Sequence, residues 1–273
     1  MPGDSSSPPG FMLRRDRLAG LVALCFFIAL AWAYLLRGAA LPGAMSSMAG
    51  MDMPMDMNMA QAWTPGYAAL VFIMWWVMMI AMMLPSATPM ILLFGLMNRR
   101  QASRGAASVS SAIFGLGYLT VWGAFSLLAT TLQWQFERLA LMSPAMVTTS
   151  AVLGGVILVG AGLYQLTPFR DACLQSCRGP IDFFARFWSP GTAGAWKMGL
   201  RHGLLCLGCC WMLMALLFYG GVMNLYWIIG LALYVLVERF IAWSRLVSRL
   251  ASAVLILWGV FVLAGAVGLR THM

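Results

Sequence analysis

Three of the six cysteines fall within five positions of one apolar run, RHGLLCLGCCWMLM, residues 201–214. On a helix turning 100° per residue, His202, Cys206, Cys209 and Cys210 stand at about 0°, 40°, 340° and 80°, so four N/S side chains share one face. Met214 follows one turn beyond Cys210. This donor set suits Cu(I), with Zn(II) as the alternative. One helix cannot surround an ion, so a second element must complete the site, and Cys173 and Cys177, spaced CLQSC, are the expected donors. Small buried thiols also serve as packing, which is the competing reading of the cluster and the one given to isolated Cys25.

Methionine supplies the second soft donor, with 23 residues in the chain. Residues 45–59 read MSSMAGMDMPMDMNM and place Met45, Met48, Met51, Met53, Met55, Met57 and Met59 in one polar stretch. A thioether stays neutral and soft in an oxidising compartment, so this stretch is expected to collect Cu(I), with Asp52 and Asp56 as weak hard donors for Cu(II) before reduction, and low-complexity disorder is the competing reading. Further on, MWWVMMIAMMLPSATPM sets Met74, Met78 and Met82 on one helical stripe and Met79 and Met83 on the next. Core packing is the competing reading there. Pro85 and Pro89 each remove a backbone donor, so a kink or unwinding is expected between residues 84 and 90, with Ser86 and Thr88 available to satisfy carbonyls or to meet a passing ion.

Glu238 and Asn224 bracket a later apolar run. Glu238 beside Arg239 reads either as an ion-paired residue or as a proton or metal ligand. No catalytic constellation emerges. The two His cannot supply a haem–copper centre, no GxxxxGK[ST] phosphate loop is present, and eight acids leave little for a hydrolytic metal centre.

The elements that must position these groups are membrane helices. The chain of 273 residues is 62% hydrophobic and 9% charged, with mean hydropathy +0.85, against about 45–50% and about 25% in soluble domains. Seven runs free of Lys, Arg, Asp and Glu, at 18–36, 67–97, 107–132, 145–166, 203–218, 225–237 and 250–269, approach the roughly 20 residues that a bilayer requires. The fold class expected is therefore all-α, a polytopic transmembrane bundle of about seven spans. The fifth and sixth runs, separated by GGVMN, should form a tight hairpin. Gly154, Gly155, Ala161 and Gly162 should let a neighbouring helix approach the fourth closely.

With the amino terminus inside, 14 of the 17 basic residues fall on the cytoplasmic side, and only Arg37, Arg138 and Arg270 fall outside. Short basic loops stay in the cytoplasm, so N-in, C-out is the expected orientation and the net charge of +9 is mostly topology. The segments are then a cytoplasmic stretch 1–17, an anchor 18–36, favoured by its length over a cleaved leader, an external Met-rich loop 37–66, and a six-span metal-binding domain 67–273 with a cytoplasmic loop 167–199. In that loop Ile181, Phe184, Ala185 and Trp188 stand at i, i+3, i+4 and i+7, suiting an interfacial helix or one packed on the bundle floor. Basic residues dispersed between apolar runs argue against nucleic acid as a partner.

The stretches MWWVMMIAMMLPSATPM and HGLLCLGCCWMLMALLFYGGVMNLYWIIGLALYVLVER resemble the bacterial predicted metal-binding integral membrane proteins, a domain of unknown function, with coverage from about Tyr67 to the carboxyl end. By position, Met78, Met79, Met82, Met83, Pro85, Pro89, His202, Cys206, Cys209, Cys210, Asn224 and Glu238 carry the family pattern. The resemblance implies metal binding and attaches no reaction. Residues 45–59 lie outside it.

Together these readings point to a multi-pass protein of the bacterial inner membrane that binds a soft metal, Cu(I) before zinc, and moves or delivers it by Met-to-Cys ligand exchange without catalysis. Expected partners are the lipid bilayer, the metal ion, and a periplasmic copper carrier or membrane copper enzyme, with an oligomer open. The rival classes are a thiol-disulfide redox protein and a scaffold subunit of a membrane complex.

Overall fold

A computed structural model describes residues 9–40, 63–102, 109–142, 146–241 and 244–271. Among these residues there are nine helices and no strand: α1 (Pro9–Ala40), α2 (Pro65–Ala102), α3 (Ser111–Arg138), α4 (Ala151–Gln165), α5 (Pro168–Arg178), α6 (Pro180–Phe187), α7 (Gly191–Gly220), α8 (Leu225–Phe240) and α9 (Ser244–Thr271). Seven of them lie on the seven apolar runs. By length and composition α1, α2, α3, α7 and α9 can each cross a membrane, and α4 with α5, bent by 65°, makes a sixth if the pair is one span. At 16 residues, α8 is shorter than a full crossing.

Apolar runs carry no stop signal of their own, so polar caps set the ends. The Ser150 side chain accepts from Leu153 N at 3.3 Å. Thr167 accepts from Arg170 N at 3.4 Å just ahead of Pro168, and Asn224 accepts from Trp227 N at 3.4 Å. The last two open α5 and α8, the helices that flank the site. The α7–α8 hairpin turns through Gly221, whose φ of 95° favours glycine.

Close crossings fix the bundle. A Cβ on Gly199 of α7 would strike the Phe114 carbonyl, and one on Gly117 of α3 the Trp196 carbonyl, so the two backbones nearly touch. The expected small-residue seam of α4 also appears, with Gly155 against Leu263 and Gly162 against Ser252 O and Ile256, both of α9. Elsewhere large apolar side chains face outward, including Phe26, Phe27, Leu127, Leu128, Val254, Leu257 and Phe261. An apolar surface of that extent belongs against another apolar phase.

Two local expectations need correction. The second apolar run does not unwind, because α2 continues unbroken through Pro85 and Pro89. Ser86 Oγ donates to Met83 O at 2.8 Å, Thr88 Oγ1 donates to Leu84 O at 3.0 Å, and Tyr118 Oη reaches across from α3 to Met83 O at 3.2 Å. These hydroxyls bond Met83 O and Leu84 O, whereas the carbonyls that lose a donor to Pro85 and Pro89 are those of Ala81 and Pro85. In α6 the inward face is Phe183 and Phe184, while Ile181 is 74% exposed. Phe184 packs on Phe94, Phe114 and Trp188, so this helix forms the bundle floor.

Candidate metal centre

The thiols meet where α5 lies against α7. The bend after α4 turns α5 so that Arg170, Cys173, Leu174 and Cys177, at i, i+3, i+4 and i+7, form its buried stripe. Gly208 of α7 makes room for that stripe, since a Cβ there would stand 2.9 Å from Cys173 Sγ. On α7, His202, Cys206, Cys209 and Cys210 are all buried, as the shared helical face requires.

Three sulfurs converge: Cys177, Cys206 and Cys209 have Sγ atoms all within 4.8 Å of one another. An ion at the centre of a trigonal sulfur set, with metal–sulfur bonds of about 2.3 Å, separates its ligands by roughly 4 Å. The observed spread, at most 4.8 Å, is compatible with such a triangle. The donor set is soft, buried and supplied by two helices, and all six cysteines are free thiols. It fits a thiophilic ion.

Other predicted ligands take different places. Cys210 Sγ lies 3.0 Å from Cys206 O and 3.9 Å from Met83 Sδ, beside the triad and next to α2. Cys173 sits against Gly208, one turn back along α5. The Nε2 of His202 lies 3.3 Å from an Arg239 nitrogen, and its ring packs between Phe114, Tyr118 and Phe183. Glu238 is not one of the converging groups. It pairs with Arg170 and accepts from Tyr234 Oη at 3.1 Å, within a buried polar group that includes Gln165 and Ser248. Glu238 is thus ion-paired, with Arg170 and not with its neighbour Arg239. Met74, Met78, Met79, Met82 and Met83 are all fully buried on α2, and Met83 touches the cysteine face. Met45, Met48, Met51, Met53, Met55, Met57 and Met59 lie outside the described residues, as does His272. Cys25, expected to pack inside, is exposed on α1, and Asn224 is the α8 cap.

Sequence reasoning missed two residues that border the triad. Arg239 donates to Cys177 O at 3.1 Å, contacts Cys206 Sγ at 3.5 Å and meets His202. Tyr118 Oη lies 3.3 Å from Cys206 Sγ, brought there by the Gly117–Gly199 crossing. A guanidinium against a sulfur offsets negative charge in a place where water cannot, so the site is built to hold at least one thiolate. The adjacency of Glu238 and Arg239 held a signal for this, because helix neighbours i and i+1 point about 100° apart and must find different partners.

The chain matches the family model described as PpoB2, copper chaperone, over residues 72–262. No curated protein and no solved structure matches it.

Proposed function

Because the chain belongs to this copper chaperone family, we propose that it is a non-catalytic membrane chaperone that takes up Cu(I) on thioethers and holds it on Cys177, Cys206 and Cys209. The carrying observation is the buried triad, three sulfurs within 4.8 Å drawn from α5 and α7. Thiolates bind Cu(I) more tightly than thioethers do, so the order Met45 to Met59, then Met74 to Met83, then Cys210 and the triad is one of rising affinity. The Met83–Cys210 contact at 3.9 Å supports continuity between the last two stages.

In this reading the bundle crosses the bacterial inner membrane seven times, with α4 and α8 as its short members, the amino terminus inside and the carboxyl terminus outside. The excess of Arg and Lys in the loops assigned to the cytoplasm supports that orientation. The triad then lies towards the cytoplasmic end, and the recipient is a membrane copper enzyme or a periplasmic carrier. Zinc is the second candidate ion.

The test is Cu(I) titration of the full-length protein in detergent against a chromophoric chelator, with X-ray absorption of the loaded sample. The expected result is one tightly held ion with a sulfur-only shell, and a loss of at least about tenfold in affinity, or about 1.4 kcal/mol, in Cys177→Ser. Unchanged binding in a variant lacking all three thiols would sink the proposal.

A further inference from the structure

Glu137 lies at the last turn of α3, at the end of the bundle where residues 45–59 lead into α2, and it carries a charge that the triad does not use. Its Oε2 accepts from Trp63 Nε1 at 2.7 Å and its Oε1 from Gln133 Nε2 at 2.9 Å. Both donors are neutral. Among the described residues no cation pairs with it, and the guanidinium of the next residue, Arg138, lies over the Trp134 ring at 5.0 Å instead. A half-buried carboxylate whose charge nothing offsets costs stability, so its presence calls for a use.

Two connections place that charge between the Met-rich stretch and the Met stripe. On one side stands Trp63, whose ring meets Tyr67 edge-on at 5.1 Å and which only three residues separate from Met59. On the other, Gln133 Oε1 accepts from Trp75 Nε1 at 2.8 Å, and Gln133 and Trp75 are both fully buried. An indole N–H only donates and a carboxylate only accepts, so these two neighbours fix which way the Gln133 amide faces. Trp75, Met78 and Met79 stand at i, i+3 and i+4 of α2, which puts the indole one turn from buried thioethers.

A monovalent ion on thioethers keeps its full charge, because those ligands are neutral. Passage from a polar stretch into the buried stripe strips water from that charge, and a fixed carboxylate at the boundary offsets the loss. We propose that Glu137 is the entry residue of the metal path: its carboxylate draws a soft monovalent cation, Cu(I) or Ag(I), from residues 45–59 towards Met74 and Met78 by charge, without ligating it. Carboxylate oxygen is too hard a donor to retain Cu(I), so the ion passes on. The inference rests on the copper reading above and adds to it the point of entry.

The experiment measures three quantities on the full-length protein in detergent: loading from the Cu(I)–acetonitrile complex by stopped flow, release to excess chromophoric chelator, and equilibrium affinity. Glu137→Gln is expected to slow loading and release alike by about tenfold, the low end of what a charged mouth contributes to association rates, and to leave affinity within about twofold. The ion comes to rest on the triad and not at the entry, so both directions share the change. Trp63→Phe is the control. A Gln amide has one acceptor oxygen for two donors, so each variant loses one hydrogen bond at this position and only Glu137→Gln loses the charge. Trp63→Phe should therefore slow loading far less. Native rates in Glu137→Gln, equal slowing in the two variants, or a fall in affinity beyond that limit overturns the proposal. Should Glu137→Gln not fold, Trp63→Lys decides by setting an ammonium against the carboxylate: loading about tenfold slower than in Trp63→Phe is the expected result, and an equal rate overturns the proposal. Native protein that binds no Cu(I) refutes the copper reading instead, whatever the variants do.

Discussion

Replacing Glu238 by Gln should loosen α5 without altering any sulfur. The Glu238 and Arg170 side chains that form the ion pair are 4% and 1% exposed, and removing one partner of such a pair costs about 3–5 kcal/mol, because the survivor stays charged where little solvates it. Arg170 would keep Ser248 Oγ at 2.9 Å and Asp171 at 3.3 Å, and the Gln carbonyl can still accept from Tyr234, so the lower end of that range applies. The loss falls on the contact between α5 and α8. At about 1.4 kcal/mol per tenfold, about 3 kcal/mol raises the population of released α5 roughly 100-fold. Cys173 and Cys177 are buried while α5 is seated, so their native-state labelling by a maleimide should quicken by about that factor, since reaction through a fast opening follows the open population. The double variant Arg170→Met with Glu238→Leu removes both charges and should label at close to the native rate. Unchanged labelling in Glu238→Gln, or fast labelling in the double variant, would refute the ion pair as the clasp.

Three further outcomes follow from the same geometry. Gly199→Ala drives a Cβ into the Phe114 carbonyl and should cost about 1–3 kcal/mol as overpacking, read as a lower melting temperature in detergent, while Gly230→Ala, where nothing lies within 4 Å of the added carbon, should have no such effect. Met83→Leu conserves volume and should change stability by less than about 1.5 kcal/mol, yet removal of the thioether beside Cys210 should slow Cu(I) arrival at the triad in stopped-flow loading. Deleting residues 45–59 should slow capture from dilute Cu(I) and leave the equilibrium affinity of the triad unchanged, and a large fall in that affinity would assign the loop a different role.

How much of this was readable beforehand depends on which residues one asks about. The common face of His202, Cys206, Cys209 and Cys210 follows from helical spacing alone, and all four are buried as that spacing requires. Which of them meets a partner helix does not follow, because the direction from which α5 arrives is set by the bend after Gln165 and by the gap at Gly208. The apolar run beginning at residue 203 misses the first twelve residues of α7. Lys197 and Arg201 end a run defined by the absence of charge, but they do not end a helix, and the Arg201 guanidinium lies over the Phe187 ring at 4.5 Å. In α6 the heptad-like spacing of Ile181, Phe184, Ala185 and Trp188 lost to the larger payload of Phe183 with Phe184. The unwinding expected at Pro85 and Pro89 does not occur, because each proline removes one rung of the ladder and the apolar helix around it continues.

The most consequential unread feature is the grip of α8 on α5. Glu238 reaches Arg170, Arg239 reaches the Cys177 carbonyl, and Arg178 in return donates to Arg239 O at 3.0 Å and to Ile241 O, satisfying carbonyls that the end of α8 leaves open. These contacts run along two turns of α5, from Arg170 to Arg178, and Cys177 lies between them. On its other side α5 packs against α7, where Gly208 admits Cys173, and its two ends run into the bend from α4 and the Gly179 junction with α6. A buried ion held by Cys177, Cys206 and Cys209 can leave only if one of its two helices yields. The α7 pair is fixed by the backbone-close crossing with α3, where no side chain can give way. The α5 thiol is fixed by polar contacts, which water or a partner's own donors can replace one at a time. Delivery should therefore proceed by exchange at Cys177, with Cys206 and Cys209 retaining the ion until a recipient sulfur has replaced it.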